Sequence, residues 1–531
     1  MYQAPGELQK LQAMLTKLQQ ENQALAAGNE LLTADKELLT ADRESLTSDN
    51  LALESKLKII HAENITLKEK LELALAGLNL NRAKRFGVQT EKAAKGTFNE
   101  AEQHADDSPA HHKKGRQTLP EELEREVTTY VIDEPICDDC GHELHVCGFE
   151  NSEQVKIVPA RISVIKHRCT KYACRHCENT MTGSKIISAT KPNQPIPSSI
   201  ASPDALAAVV TSKYCDALPL NRQTDILKRV GFNISRSTLA NWCIKASTLV
   251  EPIIDLYQQH LLADNVLCAD ETTVQVLDEP DRRAQQKSYM WVYRSGQFAQ
   301  YPVVIYDYQP GRGHEHPEAF LAGYKGYLQC DGYRAYGCLK NVTVSGCWAH
   351  ARRKFNDALI AQPKKKGKAN VAISTIQKLY AIEKRTKMLP ANEREKIRKK
   401  EAQPILDKFK IWLDETSQTL LPKSYLGIAV SYTLNYWQAL TRYVESGELG
   451  IDNNVTERDI RPFTTGRKNW MFAQSVKGAK ASAVLYSIVM TCRAHDINPY
   501  FYFQKLFKEL PNRIEGADLS DLLPWNAQFK S

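Results

Sequence analysis

The sequence predicts a multidomain α+β protein, and three observations support this prediction. A leucine repeat with a period of seven residues fills the N-terminal part of the chain. Two Cys-x-x-Cys pairs follow it, and the remainder mixes helical patterns with short apolar runs of strand length. With 531 residues, the chain has room for three or four domains and at least one sizeable core.

The composition is that of an ordinary water-soluble protein, with 42% hydrophobic and 25% charged residues. The net charge of +8 is spread unevenly, because residues 361–410 carry 15 Lys and Arg against 5 Asp and Glu. Such a basic block suits a polyanionic partner, and a solvated helical surface is the alternative interpretation.

The N-terminus lacks the apolar segment of a secretory signal, and nowhere do 18 apolar residues run together. The chain contains 13 cysteines, and an odd number without an export signal favours reduced thiols or a bound metal over disulfides. We therefore expect a cytoplasmic protein without a membrane-spanning segment.

Residues 8–80 are predicted to form a leucine zipper-like coiled coil. Leucine recurs at one core position of each heptad, and the second core position, four residues later, often holds Asn or Lys. This pattern favours a parallel dimer of fixed register. A lone amphipathic helix is the alternative, and the sustained heptads disfavour it. The core position is occupied by Leu11, Leu18, Leu25, Leu32, Leu39, Leu46 and Leu53, and Ile60 and Leu67 keep the phase.

Residues 81–125 are predicted to be a linker. The stretch Glu91–Arg116 is polar and has almost no large apolar side chains, a composition typical of disorder. Its histidines, His104, His111 and His112, are interpreted as solvated side chains instead of metal ligands.

Residues 126–190 are predicted to form a zinc-binding β module. Four thiolates at this spacing, Cys137, Cys140, Cys174 and Cys177, suit a closed structural Zn²⁺ site that takes no part in catalysis. A shifted ligand set is possible, because Cys147, Cys169 and His142 are nearby. Strand patterns at 155–158 and 162–165 lie between the pairs.

Residues 203–255 are predicted to form a helical DNA-binding domain with a helix-turn-helix. A helix from Leu220 is followed by a turn at Gly231, and Ser235 can cap the second helix. Such patterns also occur in ordinary helical packing. The exposed face of the second helix would present Arg236, Ser237 and Asn241 to DNA.

Residues 262–490 are predicted to form an α/β catalytic core. Asp270 lies in a strand pattern, and Asp331 ends a later apolar run. The order of strand, strand, strand, helix, strand and strand is that of an RNase H-like fold, which would make the two strands neighbours. Crowded carboxylates need cations, and two Mg²⁺ or Mn²⁺ ions about 4 Å apart would resolve the repulsion.

A third acid, Glu457, lies in a helical pattern capped by Asp452 or Asn453. On that helix Arg458 and Arg461 share a face with Glu457, so they can meet DNA phosphate while Glu457 reaches the metals. Further along the same stretch, Arg467 and Lys468 are predicted to contact DNA as well.

Several stretches resemble the large, TnpC-type transposase of the insertion sequence 66 family. The likeness spans nearly the whole chain. It rests on the two cysteine pairs and on Arg85-Phe86-Gly87, Val158-Pro159-Ala160-Arg161, Ser212-Lys213-Tyr214, Leu218-Pro219-Leu220-Asn221-Arg222-Gln223, Ser235-Arg236-Ser237-Thr238-Leu239, Cys330-Asp331-Gly332-Tyr333, Cys347-Trp348-Ala349-His350-Ala351-Arg352-Arg353-Lys354-Phe355, Asp452-Asn453-Asn454, Glu457-Arg458, Asn498-Pro499-Tyr500 and Leu522-Leu523-Pro524-Trp525-Asn526.

The resemblance implies that Asp270, Asp331 and Glu457 are the acids of a DDE triad. It also implies a helical insertion, about residues 355–445, between the second and third acids, before a C-terminal helical tail at 491–531. Cys347 and His350 are interpreted as supporting the site geometry or contacting the terminal DNA strand, with plain packing as the alternative.

These observations predict a bacterial DNA transposase that cuts the 3′ ends of its own element and joins them to target DNA. Its partners would be the terminal inverted repeats, target DNA and a second copy of the chain, and it would be nucleoid-associated when bound to DNA. Whether accessory proteins take part is left open. The alternatives are a structure-specific nuclease of the same fold and a catalytically decayed, zinc-containing DNA-binding protein.

Overall fold

The structure is a computed structural model, and it describes residues 5–86, 127, 129, 162–173, 186–362, 367–514 and 516–527. The predicted disordered linker beyond Phe86 and the four predicted zinc ligands lie outside these residues. The chain divides into two compact units, one made of residues 1–87 and 360–365 and the other of the remainder. Across the described ranges, every helix is too short or too polar to traverse a bilayer.

In the first unit, residues Pro5–Phe86 form a single helix, α1, of 82 residues. The predicted helix is confirmed, and it ends six residues later than the predicted boundary at 80. Its heptad leucines are exposed, as at Leu39, which is 69% accessible. A long stripe of exposed leucine is costly in water, so pairing with a second helix remains our prediction for this segment.

The described part of the predicted zinc module contains two short strands, β1 (Lys171–Ala173) and β2 (Ile186–Ser188), which pair antiparallel. The strand predicted at 162–165 is wrong, because residues 162–170 form neither helix nor strand. Their β-branched side chains match the strand pattern, yet no neighbouring strand in the described ranges pairs with this backbone, and Val164 is 93% exposed.

Three helices precede the main sheet, and the second and third occupy the positions of the two helices predicted from the sequence. Ser235 caps the third helix by accepting a hydrogen bond from the Thr238 amide at 3.1 Å. Gly231 adopts a φ of +88°, which glycine reaches without steric cost and which allows the turn. The three are α2 (Pro203–Tyr214), α3 (Leu220–Arg229) and α4 (Arg236–Ala263).

The main sheet has six strands. Five of them have the order β5 (Val304–Gln309), β4 (Lys287–Ser295), β3 (Val266–Asp278), β6 (Tyr327–Gln329) and β7 (Thr343–Ser345), and β8 (Ala473–Ser475) pairs with the far end of β3. The first three strands are antiparallel, whereas β6 runs parallel to β3 and β7 parallel to β6. The elements are β3 (Val266–Asp278), β4 (Lys287–Ser295), β5 (Val304–Gln309), α5 (Glu315–Phe320), β6 (Tyr327–Gln329), α6 (Arg334–Gly337) and β7 (Thr343–Ser345).

The strands and the helix α5 follow the order predicted from the sequence, and the structure adds a short helix, α6, between β6 and β7. The third strand, β5, starts at Val304. Pro302 has no amide hydrogen to donate to a strand ladder, which disfavours a start at Tyr301.

A helical region follows β7, as predicted for the insertion, and it has a hydrophobic core of its own around Trp348, Phe355, Leu379, Leu406 and Phe409. Its elements are α7 (Trp348–Ala361), α8 (Lys368–Thr386), α9 (Ala391–Ile397), a π-helical turn (Arg398–Ala402), α10 (Gln403–Ser417), α11 (Tyr425–Asn435), α12 (Trp437–Thr441) and a 3-10 turn (Arg442–Val444).

The chain then returns to the sheet through α13 (Asn454–Trp470), β8 (Ala473–Ser475), α14 (Val476–Ala494) and α15 (Pro499–Glu509), followed by 3-10 turns at Leu510–Asn512 and Ser520–Leu522. α14 packs on the sheet, and its Ser487 hydroxyl accepts a hydrogen bond from the Tyr306 amide of β5 at 2.8 Å. Residues of α2, α4, α14 and α15 share one hydrophobic core with the sheet. The segment around the predicted helix-turn-helix is therefore packed on the α/β core.

Two arginines of the basic block are structural. Arg398 is fully buried, pairs with Glu383 through Nη2 at 2.5 Å and donates to the carbonyl oxygens of Tyr443 and Ser446. Arg394 is also buried and lies over the ring of Phe298 at 3.5 Å. Neither guanidinium is available to DNA, so within the block the predicted contact with phosphates can be made only by the exposed lysines and by Arg385.

We expect Arg398→Ala to lower the free energy of unfolding by about 3–5 kcal/mol, because the substitution leaves Glu383 buried without its cation. The matched control is Lys399→Ala, which removes an exposed ion pair with Glu395 and should change stability by less than about 1 kcal/mol. Urea unfolding of both variants measures the difference. Equal midpoints would show that the buried ion pair does not stabilise the insertion.

Candidate active site

The sheet brings Asp270 and Asp331 to neighbouring positions. In the parallel pair of β3 and β6, Cys268 lies opposite Gln329. Asp270 comes two residues later within β3, and Asp331 comes two residues after Gln329, just beyond the end of β6. Neighbouring strands are about 4.8 Å apart. Two acids that are 61 positions apart in the sequence therefore stand side by side.

Asp270 is a carboxylate without a cation. Its Oδ1 accepts a hydrogen bond from the Glu271 amide at 2.8 Å, and no Lys or Arg of the described residues pairs with it. Burial, together with the nearby negative charges of Glu271, Asp331 and Glu457, raises the pKa of Asp270 to about 8 against the lowering effect of the backbone hydrogen bond. The three predicted acids therefore act on one another electrostatically.

Asn453 attaches the start of the helix that carries Glu457 to β3, next to Asp270. Its side-chain amide donates to the carbonyl oxygen of Ala269, next to Asp270, at 2.9 Å. Of the two residues predicted to cap α13, Asp452 and Asn453, Asn453 occupies the N-cap position. Its side chain, however, makes no capping hydrogen bond to the helix amides. The side-chain oxygen instead accepts from the Thr456 hydroxyl at 2.7 Å. Sequence reasoning identified this asparagine only as a cap.

Glu457 lies in the first turn of α13, where two side chains of α7 meet it. Arg353 Nη2 is 3.3 Å from its Oε2, and His350 Nε2 is 3.6 Å from its Oε1. Burial and the charge of Arg353 lower the pKa of His350 despite the opposing effects of Glu457 and Asp331, so the imidazole is neutral near pH 7. Among the residues that the structure describes, no three His, Cys, Asp or Glu side chains stand close enough to hold a metal ion.

Cys347 supports the same helix start. Its sulfur is buried and accepts a hydrogen bond from the Asn453 amide at 3.2 Å. Burial raises the pKa of the thiol, so it is protonated at neutral pH. In this arrangement Cys347 and His350 both contact the beginning of α13.

Glu271, the neighbour of Asp270, was not identified from the sequence as part of the site. Its carboxylate accepts hydrogen bonds from Arg312 Nε at 2.8 Å and from the Tyr336 hydroxyl at 2.7 Å. Arg312 also stacks on Tyr333 at 3.7 Å, whose amide donates to Asp331 Oδ1 at 3.0 Å. Glu271 thus has a cationic partner of its own, and the same contacts hold the loop that carries Asp331.

The predicted DNA-contacting side chains are mostly exposed. Arg236, Ser237 and Asn241 lie on the exposed surface of the first turns of α4. Three cations of α13 are also exposed, namely Arg458, Arg461 and Lys468. Arg467 differs, because its Nη1 donates to the hydroxyl oxygens of Thr272 and Thr273, both at 3.2 Å, and so fastens α13 to β3. Burial lowers the pKa of Arg467.

The raised pKa of Asp270 predicts a pH dependence of stability. The folded protein without divalent ions binds this proton more tightly than the unfolded chain, since the pKa rises from 3.8 to about 8. The stability contributed by the protonated carboxyl is therefore lost as the pH increases from about 4 to about 8. Asp270→Asn should be more stable than the wild type at pH 8 by an amount on the order of a few kcal/mol.

Urea unfolding at pH 5 and pH 8 in the presence of a chelator measures this effect. The wild-type midpoint should fall between the two pH values by more than the Asp270→Asn midpoint does. Parallel changes in the two proteins would contradict the raised pKa.

Three family models match the chain. The model described as "Transposase IS66 family" matches residues 198–481, "zinc-finger binding domain of transposase IS66" matches 134–178, and "IS66 C-terminal element" matches 487–525. The second of these ranges includes all four cysteines of the two Cys-x-x-Cys pairs.

Curated relatives include two uncharacterized proteins of Sinorhizobium fredii. The protein y4qI is 30% identical over 491 residues, which cover 89% of this chain and 88% of the relative. The protein y4hP is 30% identical over 431 residues, covering 77% and 76% of the two chains. A solved structure, the Drosophila P element transposase strand transfer complex, is 14% identical with a TM-score of 0.30 over 55% of this chain and 93% of that one. That structural likeness is too weak to support an argument.

The first family model covers more than half of the chain, and it includes Asp270, Asp331 and Glu457. The chain therefore belongs to the IS66 family of transposases, and it is a DNA transposase.

Proposed function

We propose that this transposase cuts the 3′ ends of its element and joins them to target DNA at the site formed by Asp270, Asp331 and Glu457. The observation that carries the proposal is the unpaired carboxylate of Asp270, whose pKa is raised by burial and by the surrounding acids. Strongly perturbed acids of this kind are typical of functional sites. The sheet order, with three antiparallel strands followed by two parallel ones, supports an RNase H-like core.

The donor set fits divalent metal ions. Three carboxylates supply the oxygen ligands that Mg²⁺ and Mn²⁺ prefer, and Asp270 has no protein cation to displace. Asp270 and Asp331 would hold ions from neighbouring strands, and Glu457 would complete the set after leaving Arg353. Two such ions would supply activation of the attacking oxygen and stabilisation of the leaving oxygen.

The reaction consists of two phosphoryl transfers. Water first attacks the phosphodiester at the element end, and the bond to the 3′ oxygen breaks, which leaves a 3′-hydroxyl. That hydroxyl then attacks a phosphodiester of the target, forming a new bond to phosphorus while the target's own 3′ oxygen leaves. In this scheme the Glu457 carboxylate leaves Arg353 and joins Asp270 and Asp331 in binding the ions. The guanidinium of Arg353, which is half exposed, then becomes available to a DNA phosphate.

The remaining parts of the chain would deliver DNA to this site. Arg236, Ser237 and Asn241 would read the element end, and the exposed lysines of the insertion and of α13 would bind backbone phosphates with salt-sensitive affinity. Two copies paired through α1 would hold both element ends together in the bacterial cytoplasm, on the nucleoid. The four cysteines at 137, 140, 174 and 177 would hold a structural Zn²⁺.

Asp270→Asn, Asp331→Asn and Glu457→Gln should each reduce cleavage and joining by about 1000-fold, because each removes a charged ligand from the acid cluster. Binding of element-end DNA should be retained. The matched control is Asp414→Asn, which removes an exposed carboxylate paired with Lys410 and should leave activity unchanged. Gel assays with labelled element ends measure both steps.

The same assay separates the alternative functions. With pre-cut ends, joined product supports the transposase reaction, whereas hydrolysis without joining would support a nuclease. If Asp270→Asn left every wild-type activity unchanged, the chain would instead be a DNA-binding protein with a decayed triad.

Cys137→Ser should lower the zinc content of the purified protein and destabilise the region between residues 130 and 180, because it removes one of four thiolate ligands. The phosphoryl-transfer chemistry should survive, since this metal is structural. Atomic absorption and limited proteolysis measure the two effects. A variant with unchanged zinc content would contradict the assignment of Cys137 as a ligand.

A further inference from the structure

Two large apolar side chains stand exposed at the end of the helix that carries Glu457. Met471 is 69% exposed and Phe472 is 43% exposed, and they directly follow the last residue of α13. We call Met471 and Phe472 the tip. Neighbouring exposed apolar side chains of this size are costly in water, and they commonly mark a binding surface.

The backbone of the tip is strained. Met471 has a φ of 65° and a ψ of −51°, and the Phe472 amide donates to the Trp470 carbonyl oxygen at 2.8 Å. This is a γ-turn of the rare type with positive φ, which disfavours every residue except glycine. The surroundings hold it in place, because Trp470 packs against Phe463 with ring centroids 5.6 Å apart and β8 begins at once. Strain that is maintained in this way is typical of functional positions.

The segment that carries the tip is strongly basic, and this indicates the kind of partner. Residues 458–480 contain six basic side chains and a single acid, Asp459, which is already paired with Arg294 at 2.5 Å. A surface that joins exposed cations to exposed apolar side chains fits a nucleic acid, since the phosphates meet the cations and the bases meet the apolar groups. The cations exposed on this segment are Arg458, Arg461, Lys468, Lys477 and Lys480.

The tip also lies at a fixed distance from the acid cluster. β8 pairs with β3 so that Ala473 lies opposite Val276, which puts the tip beside Val274 and Gln275. Those positions are four and five residues beyond Asp270, about 15 Å along the strand. Since duplex DNA rises about 3.4 Å per base pair, this distance corresponds to about four or five base pairs.

We propose that Met471 and Phe472 form a wedge that enters the base stack of the bound DNA, about four or five base pairs from the phosphodiester that is cut. This inference rests on the proposed function, because it assumes that the DNA lies at Asp270. Apolar side chains inserted between bases unstack them, and the neighbouring lysines would hold the phosphates on either side. The inserted side chains would thereby fix the position of the distorted DNA end relative to Asp270, Asp331 and Glu457.

The test uses the full-length protein and a duplex copied from one end of the element, with 2-aminopurine placed at successive positions from the cut site. Ca²⁺ replaces Mg²⁺ so that binding is observed without cleavage. Fluorescence should increase at a position about four or five base pairs from the cut site, because an unstacked 2-aminopurine is bright. The double variant Met471→Gly and Phe472→Ser should abolish the increase and weaken DNA binding by about 10-fold or more.

Glycine is chosen at 471 because it relieves the positive-φ strain, so loss of folding is not expected for the variant. The matched control is Ile514→Ser, which removes an apolar side chain that is 83% exposed elsewhere in the same unit, and it should behave as the wild type. Persistence of the fluorescence in the double variant, or its absence at every position with the wild type, overturns the wedge. An apolar contact with another protein would give the latter result.

The experiments distinguish a failure of the wedge proposal from a failure of the proposed transposase reaction. If the wild type cleaves and joins element ends in Mg²⁺ and no base is unstacked in Ca²⁺, only the wedge is wrong. If the wild type neither cleaves nor joins, the proposed function is wrong whatever the fluorescence shows.

Discussion

A buried carboxylate without a cation is costly, and the centre of this sheet contains one at Asp270. Three other acids near it have positively charged partners: Glu271 meets Arg312, Glu457 meets Arg353, and Asp459 meets Arg294. Asp331 instead accepts a hydrogen bond from the Tyr333 amide. The fold therefore gives a cationic partner to three of the surrounding carboxylates and places Asp270 and Asp331 next to each other, where their negative charges repel. This constraint explains why the site suits cations, and it distinguishes Asp270 from the glutamate beside it.

The helix α13 joins this site to a second surface. Asn453 ties the first turn to the carbonyl oxygen of Ala269, and Arg467 ties the last turn to Thr272 and Thr273 of the same strand. Because both attachments are made to β3, the position of Glu457 and the position of the strained turn at Met471 are set by one strand. A shift of α13 along β3 would move both together.

The helical insertion lies between the second and third acids in the sequence. It packs around a hydrophobic core of its own, and the buried Arg398 links it to the loop after Tyr443. The returning chain is then fixed to the strand edge, where Gln329 donates to the Gly450 carbonyl oxygen at 2.6 Å and the Trp348 amide donates to the Ile451 carbonyl oxygen at 3.1 Å. An insertion built in this way can vary in surface charge without displacing Glu457.

The sequence by itself determined the features that depend on local periodicity and spacing. The seven-residue leucine repeat predicted α1, the strand patterns around Asp270 and Asp331 predicted β3 and β6, and Ser235 predicted the start of α4, because each signal is contained in a short stretch of chain. The family resemblance was carried by motifs of the same local kind.

Only the tertiary structure decided which polar groups are paired. The sequence could not show that Glu271 is neutralised while Asp270 is not, or that Arg394, Arg398 and Arg467 are engaged within the protein. The strand pattern at 162–165 was misleading for the same reason, because a strand requires a partner that the local sequence does not supply. Hydrogen bonds and ion pairs join residues that are distant in the sequence, so their presence depends on the packing of the whole core.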